Sequence, residues 1–228
     1  MGRHRLPEPC ERDLYAALNA TSREILTLLY EAGHEAGLAR APLHARTAAL
    51  FFLCATGNLA DDLADGDCDY FDHPRVASGA QYLLHSIAFA ELAASGLSVE
   101  ALALGAQTLV AAASYHQVEV RTGSWSAALY RQVGEAIAGR QWEAYLTLLW
   151  HGTPLAPRAS EIGGAAGFVG HVVADVTSND PRFYGMSAGD RREVLAAARA
   201  AVERLRGHPL RSVAAIVAHA DVLGGVQE

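Results

Sequence analysis

The sequence predicts an all-α protein, a single domain over residues 1–228 built as a bundle of about eight helices around an apolar cavity. Three observations predict it. Apolar residues recur at three- and four-residue spacing along nearly the whole chain, and strand-like alternation is absent. Pro residues and several glycines (Gly96, Gly123, Gly152 and Gly207) punctuate the periodic stretches. The hydrophobic fraction is 51% and the mean hydropathy +0.10, which suits helices buried on several sides.

Helices are expected at 10–37, 43–64, 76–95, 98–121, 125–151, 158–178, 188–206 and 209–224. The first has a break point at Asn19-Ala20-Thr21-Ser22, where Thr21 or Ser22 can cap a new turn. Pro42 opens the second helix and Gly96 closes the segment before the fourth. Thr122-Gly123 ends that fourth helix, Gly152 through Pro157 separates the next pair, and Gly207-His208-Pro209 splits the last. The stretches 43–60 and 101–114 are apolar nearly all the way round, which predicts burial on every side.

Composition excludes several classes. A net charge of −7 offers no basic footprint for nucleic acid. All 18 basic residues are Arg, so any phosphate binding must use guanidinium groups. Cys10, Cys54 and Cys68 form no CxxC and no even framework, which points to a reduced, cytoplasmic setting. The opening MGRHRLPEPCERD lacks the apolar segment of a signal peptide. The most apolar run, TAALFFLCATGNLA, is too short to span a bilayer.

The charge that is present is unevenly placed. NLADDLADGDCDYFDH, residues 58–73, holds six aspartates at the end of the most apolar helix. Asp61 and Asp65 stack one turn apart with Asp62 beside them. Like charges at that spacing cost a helix a few tenths of a kcal/mol per pair, a penalty a bound cation would remove. Mg²⁺ takes one or two protein carboxylates and completes its shell with water and substrate phosphate oxygens. An EF-hand is excluded, because Tyr70 stands where that loop needs Gly and Val76 where it needs Glu. A second polar tip, GHVVADVTSND at 170–180, ends another apolar helix and puts Asp175 and Asn179 on one face, with Asp180 following. Gln117 and Arg121 stack at i,i+4, an arrangement that can present an Arg fork to a phosphate. Arg75 and Arg182 lie just past the two acidic tips.

Together these motifs resemble, over about residues 40–182, the trans-isoprenyl diphosphate synthases of the class I terpenoid synthase superfamily. DDLAD matches the family's first aspartate-rich motif. GHVVADVTSN lies in the register of the second, FQxxDDxxD, keeping Asp175 but placing Val176 and Asn179 where the family has Asp. The family's N-terminal GGKR-RP signature and its lysines, which hold isopentenyl diphosphate in chain elongators, are missing. The chain is therefore most similar to the short, divergent prenyltransferases of natural-product pathways, such as the one in moenomycin biosynthesis.

The resemblance implies an isoprenoid synthase fold and a site in which Asp61, Asp65 and Asp175 hold Mg²⁺, with Asp62 completing the first motif. It implies an allylic isoprenyl diphosphate as substrate and an acceptor that the sequence does not identify. Arg121 and Arg182 would clamp the diphosphate, with Gln117, Arg75 and Asn179 as further contacts. The family's pocket wall falls at Thr56 and Gly57; both are small, so a chain of C15 or longer would run on toward Phe51 or Phe52. Trp142, Tyr145 and Tyr115 are candidates to face a carbocation. A terpene cyclase of the same fold is the main rival, although residues 175–183 do not meet its usual second motif. A helical di-metal oxidase would build on Glu31 and His34, but no second ExxH accompanies them. A non-catalytic synthase subunit would have no need of an intact DDLAD. A homodimer is left open.

Overall fold

The computed structural model describes residues 6–225, and among them every regular element is helical. The chain divides into two compact units, one formed by residues up to Tyr30 together with Ala39–Leu97, the other by Glu31–Leu38 together with Ser98 onward.

The first unit contains α1 (Glu8–Ala20), most of α2 (Arg23–Glu35), α3 (Arg40–Asp65) and α4 (Pro74–Ala94). α1 begins after Pro7 with Glu8 and Glu11 in its first turn, where negative charge complements the helix dipole. It stops at Ala20; Thr21 turns its hydroxyl back to the Ala17 carbonyl at 3.1 Å, and Ser22 Oγ accepts from the Glu24 N–H at 3.2 Å to start α2. α3 and α4 pack along much of their lengths, with α1 against both. Their core is Leu14 and Ala17 of α1, Ala55 and Leu59 of α3, and Ala77, Ala80, Leu84 and Ile87 of α4. Burying a Leu such as Leu59 or Leu84 contributes roughly 1.5–3 kcal/mol. Phe52 and Leu63 join the edge of this core, as do Cys68, Tyr70 and Phe71 from the α3–α4 loop.

The second unit contains α5 (Val99–Glu119), α6 (Ala127–Gly134), a π-helical turn (Glu135–Gly139) and α7 (Arg140–Trp150). After a 3₁₀ turn (Ala156–Arg158) follow α8 (Ala159–Ser178), α9 (Pro181–Tyr184), α10 (Ala188–Arg206), α11 (Arg211–His219) and α12 (Val222–Gly225). α8 is its hub, packing on α7, the π turn and α10. Glycines permit that approach. A Cβ added at Gly163 would lie 2.6 Å from Glu143 Cα, and one at Gly167 would lie 2.1 Å from the Ala138 carbonyl oxygen. Both obstacles are backbone, so no side-chain adjustment would relieve them. Trp150, fully buried, donates its indole N–H to the Ala32 carbonyl at 2.9 Å. Glu35 accepts from the N–H groups of Arg211 (2.5 Å) and Ser212 (3.1 Å) and from the Ser212 hydroxyl (2.6 Å). It thereby caps α11 from across the unit.

The all-α expectation is met, with differences in detail. The expected helix 10–37 is two helices, broken at Thr21-Ser22. The expected helix 125–151 passes through one π turn, the expected helix 209–224 is split into α11 and α12, and α9 was not foreseen. Burial of α5 on every side is overturned. Of its residues only Ala101, Gly105 and Ala112 are buried, while Leu104 is 54% and Val110 70% exposed. The small residues form the packing face: a Cβ at Gly105 would meet the Leu148 side chain at 2.8 Å. Apolar composition in this helix reflects Ala-rich helix propensity more than core position. Among the described residues no helix is long and apolar enough to cross a membrane.

Candidate active site

The first acidic tip is made by the way α3 ends. Gly66 takes the left-handed conformation (φ 82°), and the N–H groups of Gly66 and Asp67 both close on the Asp62 carbonyl, the latter at 2.8 Å. Only a residue without a Cβ adopts this cap at no steric cost. The cap halts the helix immediately after Asp65, so the DDLAD carboxylates sit in its final turn. Asp61, half-buried, and Asp65, exposed, are one turn apart on one face. Asp62 serves the loop instead, its Oδ2 accepting from the Tyr70 hydroxyl at 2.5 Å. Burial and the adjoining Asp62 carboxylate push the Tyr70 pKa well above its ordinary value, so the phenol keeps its proton and donates. The bond ties the loop after α3 to the tip.

The second tip belongs to the second unit and is denser. Asp175, 4% exposed, ends its Oδ2 on the Tyr130 hydroxyl at 2.6 Å, with His171 Nε2 at 3.8 Å. Arg182, in the first turn of α9, directs its guanidinium back at this carboxylate, Nη2 to Oδ1 at 3.7 Å. The same guanidinium grips Asp180 in a fork, Nε to Oδ1 at 3.0 Å and Nη2 to Oδ2 at 2.7 Å, and its Nη1 donates to Glu119. The other Glu119 oxygen has His116 Nδ1 at 3.2 Å. Every carboxylate oxygen of Asp175, Asp180 and Glu119 therefore has a partner within 4 Å.

Burial raises the Asp175 pKa, and the opposing pull of His171, Tyr130 and Arg182 does not fully cancel it. For Glu119 and Asp180 the balance is reversed. Burial would raise both, but His116 and Arg182 hold Glu119 below the usual carboxylate range, and Arg182 does the same for Asp180. Burial works against the Arg182 charge, yet Asp180, Asp175 and Glu119 outweigh it and raise its pKa.

Several expected positions are relocated. Asn179 does not share a helical face with Asp175. It follows the end of α8 in the left-handed conformation (φ 58°), with its N–H on the Asp175 carbonyl, and its side chain is exposed. Asn is the residue after Gly that best tolerates that conformation, so the backbone explains its presence. α5 ends at Glu119 with Val120 as its cap, so Arg121 lies one residue past the cap; Gln117 and Arg121 are both exposed. Arg75 is exposed in the first turn of α4, its N–H donating to His73 Nδ1 at 3.0 Å. Thr56, half-buried like Gly57, turns its hydroxyl to the Phe52 carbonyl at 2.9 Å, while the Phe52 ring packs on the first unit's own core. Trp142 and Tyr145 meet edge to face at 6.1 Å, and the buried Tyr145 hydroxyl accepts from Gln141 at 2.8 Å. The Tyr115 hydroxyl accepts from Gln132 at 3.1 Å. Glu31 and His34 are both exposed, a poor setting for a buried di-metal centre.

Sequence reasoning missed Glu119, His116, His171, Tyr130 and Tyr70. The helical period contained a signal for two pairs, His171 with Asp175 at i,i+4 and His116 with Glu119 at i,i+3. Nothing in the sequence pairs Tyr130 with Asp175, 45 residues away.

No family model matches the sequence, and no curated protein matches it. Solved structures do match. Geranyltranstransferase of Thermotoga maritima superposes with a TM-score of 0.74 at 14% identity, over 98% of this chain and 93% of that one. Geranyltransferase of Legionella pneumophila gives 0.71 at 15%, over 98% and 90%. Geranylgeranyl pyrophosphate synthase of Corynebacterium glutamicum, solved with isoprenyl diphosphate and magnesium, gives 0.55 at 20%, over 94% and 78%. The chain has the all-α isoprenyl diphosphate synthase fold.

Proposed function

We propose that this chain is a Mg²⁺-dependent prenyltransferase that ionises an allylic isoprenyl diphosphate of about C15 length and joins the prenyl group to an acceptor, residues 1–228 acting as one catalytic domain. The observation that carries the reading is the first tip: Asp61 and Asp65 one turn apart, in the final turn of a helix stopped by Gly66, in a fold shared with a synthase solved with isoprenyl diphosphate and magnesium. Two carboxylate oxygens so spaced suit a hard cation that keeps most of its waters and takes phosphate oxygens as further ligands.

When bound, the ion supplies Lewis-acid stabilisation of the departing pyrophosphate. The chain's own residues do the rest. Asp61 and Asp65 orient that charge at the end of α3. Asp62, held by Tyr70, fixes the loop that follows the tip. Arg121 and Arg75, both exposed, are the candidate guanidinium contacts for a diphosphate. An apolar pocket beyond Thr56 and Gly57 would exclude water from the allylic cation until the acceptor attacks.

The test is to incubate the protein with C10, C15 and C20 allylic diphosphates and Mg²⁺, with and without isopentenyl diphosphate, and identify the products. Pyrophosphate release that EDTA abolishes is the expected result. Activity unchanged by EDTA, or no consumption of any allylic diphosphate, would overturn the proposal. A hydrocarbon or alcohol formed without an acceptor would instead identify a cyclase of the same fold.

A further inference from the structure

We propose that His171 is a positioning residue for Asp175: seated on Gly134, its ring works with the Tyr130 hydroxyl to hold Asp175 Oδ2 and leaves Oδ1 as the oxygen this acid presents. The inference rests on the prenyl-transfer reading above, in which the resemblance places Asp175 among the residues that serve the departing diphosphate.

The arrangement grows from one face of α8. Gly163, Gly167, His171 and Asp175 follow one another at four-residue steps and form a single ridge. The elements facing it run antiparallel. A Cβ at Gly163 would meet Glu143 Cα at 2.6 Å, and one at Gly167 would meet Gly139 Cα at 2.9 Å. In the other direction, a Cβ at Gly134 would meet His171 Cδ2 at 2.7 Å, and the Tyr130 hydroxyl reaches Asp175 Oδ2 at 2.6 Å. The facing positions are therefore Glu143, Gly139, Gly134 and Tyr130. Their steps are four residues except between Gly139 and Gly134, where the π turn supplies a fifth. Without that residue α6 would be turned by about 100° relative to α7, carrying Gly134 and Tyr130 off the ridge.

The register gives His171 its seat. The ring occupies the space a Cβ at Gly134 would need, 5.3 Å from the Tyr130 ring and 14% exposed, with Nε2 3.8 Å from Asp175 Oδ2. Both neighbours converge on Oδ2. Among the described residues Oδ1 has only Arg182 Nη2, at 3.7 Å, beyond hydrogen-bonding distance. The terminal torsion of an Asp side chain is otherwise soft, so pinning one oxygen is what gives the other a fixed direction.

The experiment reads turnover as Mg²⁺-dependent pyrophosphate release from C10, C15 and C20 allylic diphosphates, and stability as thermal unfolding. His171→Leu fills the seat without a nitrogen. It should lower kcat about tenfold or more with KM changed less than about twofold, as expected for an interaction used in the transition state. His171→Gln, which returns a nitrogen donor toward Oδ2, should recover most of that loss, whereas a side chain that only packed would favour Leu over Gln. Gly134→Ala should lower both kcat and Tm. The Gly134→Ala/His171→Ala double variant should be more stable than the sum of the single effects, because removing the ring relieves the added Cβ; this readout needs no substrate. His171→Leu with wild-type turnover, or additive Tm effects in the Gly134–His171 pair, would overturn the inference, while pyrophosphate release by the wild type would keep the prenyl-transfer reading. No release by the wild type from any of the three diphosphates would sink that reading and the inference with it. Should Gly134→Ala fail to fold, the comparison of His171→Leu with His171→Gln decides alone.

Discussion

Replacing Tyr130 with Phe isolates one bond at the second tip. The ring is fully buried, with Trp125 edge-on at 6.1 Å, Phe183 edge-on at 6.0 Å and His171 tilted at 5.3 Å. Phe preserves those contacts and deletes only the hydroxyl that donates to Asp175 Oδ2 at 2.6 Å. A hydrogen bond to a charged group contributes about 1.5–3 kcal/mol, and a neutral one about 1. At neutral pH the variant should therefore lose about 2 kcal/mol, equivalent to a fall of about 4–8 °C in Tm for a chain of this size. The loss should depend on pH. Burial already places the folded-state pKa of Asp175 above the ordinary carboxylate value, and the Tyr130 bond opposes that rise. Without it the pKa climbs further, because the ionised form loses more than the protonated one. The deficit of Tyr130→Phe is thus fully present above the raised pKa of Asp175 and shrinks toward about 1 kcal/mol as pH falls through it. Urea unfolding of both proteins, followed from neutral pH downward for as long as the native state persists, measures the difference. A deficit that does not change with pH, or is absent at neutral pH, would refute the assignment of the bond to an ionised Asp175.

Asp61→Ala and Asp65→Ala should each cost about 10³-fold in turnover, the loss of several kcal/mol of leaving-group stabilisation at tenfold per 1.36 kcal/mol, measured as pyrophosphate release. Asn179→Ala should instead cost stability, about 1 kcal/mol for a Cβ without a side-chain amide in the left-handed region, while Asn179→Gly restores it; thermal unfolding of the two variants decides. Thr56→Phe should shorten the preferred allylic substrate by about one or two isoprene units, because the added ring fills space beside α3 that a tail would pass; competition between C10, C15 and C20 diphosphates reads this out. Glu35→Ala should lose about 1–2 kcal/mol as the α11 cap disappears. Although burial would raise the Glu35 pKa, Ser212 and the backbone N–H groups lower it below 4.5, so its contribution is present above that value and lost as pH falls through the folded pKa. Wild type and variant should converge in acid unfolding curves.

What could be read from the sequence alone was whatever depends on local spacing. The 3.6-residue period, the Ser and Pro starts and the Gly ends specify helices within a few residues, because each acts over one turn. The stacking of Asp61 and Asp65 is of the same kind, since no distant residue is needed to put i and i+4 on one face. Tertiary structure decided what depends on partners far apart in the chain. The sequence shows Arg182 as one more arginine near an acidic tip; the fold surrounds it with Asp180, Glu119 and Asp175 and makes it the centre of an ion-pair cluster. Arg121 follows Gln117 at the helical period, yet α5 ends at Glu119 and Arg121 lies past the cap at Val120. α5 looked buried because its composition is apolar, yet burial is set by what packs against a face, and Ala and Gly allow one face to come close while Leu104 and Val110 stay in water. Local periodicity specifies which side chains share a face; only the packed chain determines which charge that face meets.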